Sequence, residues 1–336
     1  MTKILSISIA AYNIEKYIHN LLDSFLVNEI LSKLEVIIVN DGSRDRTSKI
    51  AKEYQKKYPD TFILIDKENG GYGSTINTAV KIASGKYFKT IDGDDWVDSD
   101  GLCKLIKYLC ITDDDIVVTN FSRVSDKTNK KIDTIFKCSK YDETFLIDDI
   151  YDGQHLFMQA LTFKTEILKK LNLQITNHCF YTDIEYILTP LPYCNTISFF
   201  NEFVYMYRIS VNEQSMSING KRKHIDEQLF ILKKMISYFN ENKYRLGQGR
   251  KSYFIVILSE MFKSHITAIL SLKISKHSFS RLLELDKYVE ENSKEIFYNT
   301  NNYRTVFWLR KTKYLFYLPG SISYRIYQKI LSYMER

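Results

Sequence analysis

The motif Asp-Gly-Asp at residues 92–94 brings together two carboxylates that could bind a cation. In an extended backbone, residues two positions apart point to the same side, so the carboxylates of Asp92 and Asp94 face one point. Carboxylate oxygens suit hard divalent ions such as Mg²⁺ or Mn²⁺, and Gly93 allows a ligand to approach the backbone closely. The alternative is an acidic turn that caps the next helix, a role that Asp95 or Asp98 can fill.

A glycine-rich segment with the sequence NGGYGS spans residues 69–74 and could contact a phosphate group. The chain contains no Walker pattern GxxxxGK[ST], and this segment fails the dinucleotide pattern GxGxxG because Ile76 occupies the place of the last glycine. ATPase and dehydrogenase functions therefore lose their main support. The alternative for this segment is a simple turn ahead of a helix that starts at Ser74.

Asp41 stands at the end of an apolar run and directly before Gly42 and Ser43. Such an aspartate can cap a turn or a helix together with Ser43 or Asp45. It can also accept a hydrogen bond from the edge of a nucleobase, and uracil offers its N3–H as a donor there. The residues alone leave both roles open.

Four strand patterns precede these polar segments and predict where the segments lie. The patterns cover residues 3–10, 34–40, 62–65 and 87–91. Between them, apolar residues recur at helical spacing, for example at Ile76, Ala79, Val80 and Ala83. This alternation predicts an α/β fold with a mostly parallel central sheet. Ligands bind at the carboxyl ends of the strands in such sheets, so we expect the polar segments to converge on one site.

The chain of 336 residues is long enough for about two domains. Hydrophobic residues make up 45% and charged residues 26%, which excludes a disordered or fibrous protein. Residues 221–336 contain 22 Lys and Arg against 10 Asp and Glu, whereas residues 1–220 contain 25 against 30. We therefore expect an α/β domain at residues 1–220 and a mainly helical, basic and aromatic region at residues 221–336.

Cysteine usage and the N-terminus indicate a cytoplasmic protein. The five cysteines include no CxxC pair, so we expect reduced thiols and neither a zinc site nor a redox motif. The N-terminus lacks a cleavage site after an apolar core, so we expect no signal peptide. No stretch of about 18 uninterrupted apolar residues occurs, and the best candidate, Tyr253–Leu258, is too short to span a membrane.

The last part of the chain, residues 303–336, combines seven Lys and Arg with many aromatic residues and a single acid, Glu335. This composition is typical of an amphipathic segment that lies in a membrane interface. The alternative is an ordinary basic terminal helix packed on its own domain. We do not expect nucleic acid as a partner, because no recognition motif accompanies the charge.

Three strings together resemble glycosyltransferase family 2: SISIAAYN at residues 6–13, EVIIVNDGSRDRT at 35–47 and ENGGYGSTINTAVKIASGKYFKTIDGDDWVD at 68–98. Their order and spacing match over about the first 110 residues, and a weaker match continues to about residue 217. The resemblance implies a GT-A fold and a nucleotide-activated sugar as donor. Residues 1–112 would bind this donor, and residues 113–220 would carry the acceptor side and the catalytic base.

The resemblance also implies roles for individual residues. The implied donor-binding residues are Tyr12, Asp41, Asn69, Gly71, Asp92, Arg208, Gln214 and Ser215. Tyr12 would line the uracil pocket, and Asp41 would accept a hydrogen bond from uracil N3. Asp92 would contact the ribose or the metal, and Asp94 would hold a Mn²⁺ or Mg²⁺ that bridges the diphosphate.

The segment FYTD at residues 180–183 resembles the family's acidic motif, which carries the catalytic base. Family members often have Glu-Asp there, and this chain has Thr182 in the first place, so Asp183 alone would be the base. Residues 205–208 and 214–217 resemble a C-terminal loop that closes over the donor diphosphate. Arg208 would pair with a phosphate there.

The implied reaction is an inverting transfer from a UDP-sugar to an acceptor hydroxyl. The QxxRW string of processive polymerases is absent, which favours the addition of one sugar. We expect a saccharide acceptor linked to undecaprenyl diphosphate, in O-antigen, capsule or related surface polysaccharide synthesis, and a peripheral location on the inner face of the plasma membrane. One alternative is a teichoic-acid polymer or protein acceptor. Another is a non-catalytic donor-binding or scaffold protein, which the presence of Asp92, Asp94 and Asp183 disfavours.

Overall fold

A computed structural model describes residues 2–149, 154–209 and 218–334, with side chains described as far as residue 327. The chain divides into two compact units, Met1–Val211 and Asn212–Arg336, which are called unit 1 and unit 2 below. The domain boundary that the sequence predicts, after residue 220, lies a few residues further along the chain.

Unit 1 contains a ten-stranded sheet within the described ranges. Its strands are β1 (Leu5–Ala11), β2 (Leu34–Asp41), β3 (Phe62–Lys67), β4 (Tyr87–Asp92), β5 (Trp96–Val97), β6 (Ile116–Ser125), β7 (Lys131–Thr134), β8 (Thr144–Leu146), β9 (Leu161–Lys164) and β10 (Thr196–Ile209). Its helices are α1 (Ile18–Asp23), α2 (Thr47–Lys57), α3 (Tyr72–Ile82), α4 (Ser99–Ile111), α5 (Thr165–Lys170) and α6 (Thr182–Leu188). The α/β class that the sequence predicts is confirmed.

The strands pair in the order β3–β2–β1–β4–β9–β6–β10–β5, with β7 on β6 and β8 on β10. The first four are parallel to one another, as the sequence predicts, and β2 is buried along its whole length. The rest of the sheet is mixed, because β9 pairs antiparallel with both β4 and β6. The place of β9 between β4 and β6 depends on pairing with strands that are distant in sequence. The local residue pattern of 121–220 therefore does not predict it.

The register of the parallel strands brings their carboxyl ends together. Ala10 of β1 lies beside Asp92 of β4, and Ala11 lies beside Asn40 of β2. The segments that follow β1, β2 and β4 therefore leave the sheet side by side, at one edge.

Unit 2 is built from helices among its described residues. They are α7 (Ile218–Lys223), α8 (Ile225–Asn242), α9 (Gln248–Ser271), α10 (Lys276–Asn292), α11 (Lys294–Asn299), α12 (Arg304–Lys311) and α13 (Tyr317–Met334). The apolar stripes that predict helices in this region are buried, for example Leu282, Leu285 and Val289 on α10. The mainly helical character of the C-terminal region is therefore confirmed.

Helix α9 corrects the expectation that no segment is apolar enough to cross a membrane. It has 24 residues and a mean hydropathy of 1.4 in its most apolar window, which suffices by length and composition. The window is 67% buried inside the protein, and α9 contacts α8, α10, α11 and α13, so we interpret it as the core helix of unit 2. Its apolar residues form no uninterrupted run, because Ser259, Glu260, Lys263, Ser264 and His265 lie among them.

Lys89 is a buried cation in β4, three residues before Asp92. Its side chain is fully buried, and Nζ donates hydrogen bonds to the carbonyl oxygens of Gln159 at 2.7 Å and Leu161 at 3.2 Å. Burial lowers the pKa of Lys89 to about 7. Lys89 thus ties β4 to the start of β9 through its amine.

We expect Lys89→Met to change how stability depends on pH. The folded-state pKa of about 7 lies below the unfolded value of about 10.4, so the unfolded chain binds the extra proton between these values. The wild-type free energy of unfolding therefore rises with pH there, by up to about 1.4 kcal/mol per pH unit, and the variant lacks this contribution. Urea unfolding at several pH values between about 7 and about 9 measures the difference. The same pH dependence in both proteins would contradict a lowered pKa for Lys89.

Candidate active site

The carboxylate of Asp41 holds the glycine-rich segment at the end of β2. Oδ1 accepts hydrogen bonds from Nζ of Lys67 at 2.7 Å and from the N–H of Gly70 at 2.9 Å. Oδ2 accepts a hydrogen bond from the N–H of Gly71 at 2.8 Å, and the residue is only 3% exposed. Asp41 therefore holds the glycine-rich segment, about 30 residues further along the chain, and does not cap the turn directly after β2. Its contact with uracil stays a prediction.

The glycine-rich segment also packs closely against the chain before α6. Gly71 has a left-handed φ of +79°, and a Cβ atom on it would lie 2.8 Å from the backbone nitrogen of His178. The N–H of His178 donates a hydrogen bond to the carbonyl oxygen of Gly70 at 2.8 Å. Asn69 closes the other side, because its Nδ2 donates to the carbonyl oxygen of Asp41 at 2.9 Å. Glycine at position 71 is therefore required for the close approach.

Two buried polar residues, which sequence reasoning missed, fix the segment that leads to α6. Asn77 on α3 exchanges two hydrogen bonds of 2.8 Å with the backbone of Ile175. Glu185 on α6 accepts hydrogen bonds from the N–H and the hydroxyl of Thr176, both at 2.9 Å. The sequence signal that could have indicated a role for Asn77 is its place in the predicted helix, directly after Ile76 of the apolar stripe. These contacts set the position of the helix that carries Asp183.

Asp94 and Asp183 each lie within electrostatic range of Asp92. Burial raises the pKa of Asp92 most, and the negative charges of Asp94 and Asp183 raise it further. Asp94 and Asp183 are exposed to solvent, yet surrounding protein atoms raise the pKa of both carboxyls by desolvation. Both carboxylates therefore lie close enough to Asp92 to act on its charge, and solvent reaches both; the region around Asp92 that they share is called the cleft below.

Two tyrosine hydroxyls fix Asp92. The hydroxyl of Tyr72 donates to Asp92 Oδ1 at 2.6 Å. The hydroxyl of Tyr205 accepts a hydrogen bond from the N–H of Asp92 at 3.0 Å and donates to Asp95 Oδ2 at 2.6 Å. Asp95 thus anchors the tyrosine that contacts Asp92. Asp98 instead caps α4, because it accepts a hydrogen bond from the N–H three residues on at 2.9 Å. The motif is therefore held by side chains on both sides.

Arg208 packs against the same motif. Its guanidinium lies over the rings of Tyr17 and Trp96, at 4.8 Å and 4.6 Å from their centroids. Nε donates to the carbonyl oxygen of Asp94 at 2.5 Å, and Nη1 forms an ion pair with Asp126 at 2.5 Å. Arg208 therefore positions Asp94 in this structure, and its contact with a diphosphate stays a prediction.

The other expected donor residues fall in three places. Tyr12 follows β1 directly and is 50% exposed. Residues 205–208 were expected in a loop, which is wrong: they form the end of β10, because they pair with β6 and, at 205 and 206, with β5. Gln214 and Ser215 lie outside the described residues.

The donor set of Asp92 and Asp94 fits a divalent ion that completes its coordination with substrate. Asp92 Oδ1 accepts the Tyr72 hydrogen bond, and the Asp94 carboxylate reaches solvent. The described part of the chain contains no cluster of three or more His, Cys, Asp or Glu side chains that could enclose a metal. Mg²⁺ is commonly held by one or two carboxylates plus substrate phosphates, so these two residues suit an ion that binds together with a diphosphate.

We expect Tyr205→Phe to destabilise the protein by about 1–3 kcal/mol, because the fully buried Asp95 and the Asp92 N–H each lose a hydrogen-bond partner. The matched control is Tyr54→Phe, whose hydroxyl donates to the exposed Asp23 at 2.6 Å. The control should lose about 0.5 kcal/mol or less. Urea unfolding measures both variants, and equal losses would show that the Tyr205 hydroxyl has no special role.

Comparison with known proteins agrees with this geometry. The model of glycosyl transferase family 2 matches residues 6–171. EpsH of Bacillus subtilis, which carries a glycosyltransferase name, is 27% identical over 281 residues, covering 77% of this chain and 76% of EpsH. The poly(ribitol-phosphate) beta-glucosyltransferase of Bacillus spizizenii is 29% identical over 222 residues. That match covers 64% of this chain and 33% of the enzyme, so this chain spans about a third of that relative.

Solved structures show the same fold. Residues 1–349 of Staphylococcus aureus TarS, crystallised with UDP-GlcNAc, align with a TM-score of 0.66 at 19% identity, covering 92% of each chain. The family match spans β1 to β4, the glycine-rich segment and the Asp-Gly-Asp motif at residues 92–94, so the resemblance that those strings indicate is confirmed. Unit 1 therefore contains a glycosyl transferase family 2 domain with the GT-A fold, and the protein is a glycosyltransferase.

Proposed function

We propose that the protein transfers one sugar from a UDP-sugar to a hydroxyl of a saccharide acceptor, with inversion at the anomeric carbon. The observation that supports this proposal is that Asp94 and Asp183 both act on the charge of Asp92, whose carboxylate accepts a hydrogen bond from Tyr72 of the glycine-rich segment. The choice of uridine is supported by the fold shared with TarS, whose structure holds UDP-GlcNAc.

Asp183 is the proposed general base. It would take the proton of the acceptor hydroxyl while that oxygen attacks the anomeric carbon opposite the leaving UDP. One carbon–oxygen bond forms as the bond to UDP breaks, so an α-linked donor gives a β-glycoside. The raised pKa of Asp183 supports this role, because a carboxylate with higher proton affinity is a better base near neutral pH.

Asp92 and Asp94 are the proposed metal ligands, held in place by Tyr72, Tyr205 and Arg208. A Mn²⁺ or Mg²⁺ bound there would supply neutralisation of the negative charge that grows on the departing diphosphate. The repulsion that Asp94 exerts on Asp92 supports a cation site, because a bound cation would offset the rise that the Asp94 charge causes in the pKa of Asp92.

The proposed acceptor is a lipid-linked saccharide, such as one on undecaprenyl diphosphate, in O-antigen, capsule or related surface polysaccharide synthesis. The proposed location is peripheral, on the inner face of the plasma membrane. Support comes from the C-terminal region, where residues 303–334 contain no Asp or Glu. Phe307 and Trp308 are 41% and 42% exposed there, as aromatic residues of a membrane interface would be.

A second candidate acceptor is a polyol-phosphate polymer of the teichoic-acid type. The similarity to the poly(ribitol-phosphate) beta-glucosyltransferase favours it. Offering lipid-linked saccharides and polyol-phosphate polymers separately, with the same UDP-sugar, distinguishes the two candidates by the product formed.

Donor binding should appear as a metal-dependent gain in thermal stability. With UDP and Mn²⁺ at about 100 times the dissociation constant, we expect about 2.7 kcal/mol of stabilisation, and little with GDP or NAD. Asp94→Ala should lose the part of the shift that depends on Mn²⁺. A wild-type shift that is the same with and without the ion would contradict the metal site.

Asp183→Asn should lower the rate of sugar transfer at least about 100-fold, because the amide cannot take the acceptor proton. The variant should still bind UDP with Mn²⁺, as the thermal shift reports. Asp60→Asn, on an exposed loop residue of unit 1, is the matched control and should transfer sugar at the wild-type rate. Equal transfer by Asp183→Asn and wild type would rule Asp183 out as the base. UDP binding without transfer from any UDP-sugar in the wild type would favour the scaffold alternative.

A further inference from the structure

A cavity in unit 2 is lined by three cationic side chains. It has a volume of about 570 Å³ and lies between α7, the turn that joins α9 to α10, and α13, with Arg222, Lys273 and Arg325 in its lining. Within the described part of the chain, no carboxylate forms an ion pair with any of the three. Three cations in one lining, with no such pair among the described residues, favour an anionic ligand.

Arg222 is already oriented towards such a ligand by the end of α9. Its Nε donates to Ser271 Oγ at 2.9 Å, and its Nη2 donates to the carbonyl oxygen of Ser271 at 2.7 Å. Ser271 is 3% exposed, and its hydroxyl donates to the carbonyl oxygen of Ala268 at 2.6 Å. The guanidinium plane is thus fixed, and among the described residues Nη1 has no hydrogen-bond acceptor, so it can donate to an oxygen of the ligand. Fixing the donor beforehand reduces the entropy lost on binding.

An apolar ridge begins beside this cavity. Leu318, Ile322 and Ile326 recur every four residues on α13 and are 54%, 50% and 56% exposed, so they form one uncovered line. Leu315, in the turn just before α13, is 81% exposed, and the four residues together are called the apolar ridge. Arg325 lies three residues after Ile322, so a cation of the cavity borders the ridge directly.

We propose that the cavity binds the phosphate group of an anionic membrane lipid, whose hydrocarbon lies along the apolar ridge. Because residues 303–334 contain no Asp or Glu, this surface complements anionic headgroups and would repel a second copy of itself. Nearby, Lys311 lies over the exposed rings of Phe307 and Trp308, at 5.3 Å and 5.1 Å, which places cation and aromatic groups together as at a bilayer interface. This lipid site goes beyond the transfer reaction, because it needs neither donor nor acceptor.

The test is flotation of the full chain with two kinds of vesicle, phosphatidylcholine alone and equal parts of phosphatidylcholine and phosphatidylglycerol. Binding to the anionic vesicles should be at least about tenfold tighter and should weaken as salt is raised. Lys273→Glu combined with Arg325→Glu should weaken it at least about tenfold. Leu318→Ser combined with Ile322→Ser should weaken it by a similar factor, because these side chains would enter the hydrocarbon.

Two control variants have matched chemistry and exposure. Lys294→Glu reverses an exposed cation in the first turn of α11, and Ile111→Ser replaces a side chain that is 84% exposed in unit 1. Both should bind anionic vesicles as the wild type does. Equal losses in the control and test variants, or equally tight binding to both kinds of vesicle, would overturn the proposal.

Two further outcomes would assign the surface to another occupant and overturn the lipid site. One is stabilisation by inorganic phosphate that is lost in the Lys273→Glu and Arg325→Glu variant, without vesicle binding by the wild type. The other is self-association in sedimentation velocity that depends on the apolar ridge, again without vesicle binding. The UDP-induced thermal shift, measured on the same variants, should stay unchanged, so failure of the lipid site and failure of the transfer reaction are distinguishable.

Discussion

The buried carboxylate of Asp41 is the interaction on which the cleft of unit 1 depends. A charge removed from water is tolerated only when it is paired and hydrogen-bonded, and here Lys67 and two backbone N–H groups meet that need. Those N–H groups belong to the glycine-rich segment, which in turn packs against His178. The position of α6, and with it Asp183, therefore depends on this carboxylate together with the contacts of Asn77 and Glu185.

Unlike Asp41, the carboxylates near Asp92 lie close to other negative charges. Asp92, Asp94 and Asp95 are consecutive or nearly so, and burial together with mutual repulsion raises the pKa of Asp92 and Asp95. The protein keeps this unfavourable group in place with tyrosine hydroxyls and the Arg208 guanidinium rather than by spreading the charges apart. Groups that oppose stability and yet are held firmly are typical of sites where chemistry takes place.

Local periodicity was enough to predict the parts of the fold in which neighbouring residues decide the structure. These are the parallel strands β1 to β4 and helices such as α3 and α10, whose apolar residues follow a clear period. The insertion of β9 and the length of β10 depend on pairing between distant strands, so no local pattern marks them. Tyr205 illustrates the difference, because its role arises only when β10 reaches Asp92.

Within the cleft, the resemblance to the family supplied the candidate residues, and the structure supplied their partners. Asn77 was missed because it bonds to the backbone of Ile175, 98 residues away, and Glu185 because its bond to Thr176 depends on the fold of the segment between them. Asp92 and Asp94 could be found from spacing alone, since residues two apart in an extended chain share a side. Asp183 has no such local mark, and only the family pattern pointed to it.

The close approach of Gly71 to His178 has a consequence for protein engineering. Because a Cβ atom at position 71 would collide with the backbone at 178, neither segment can change shape while the other stays fixed. The two segments, although about 100 residues apart, form one interchangeable module. A chimera that takes the region before α6 from another family member must therefore take the glycine-rich segment with it.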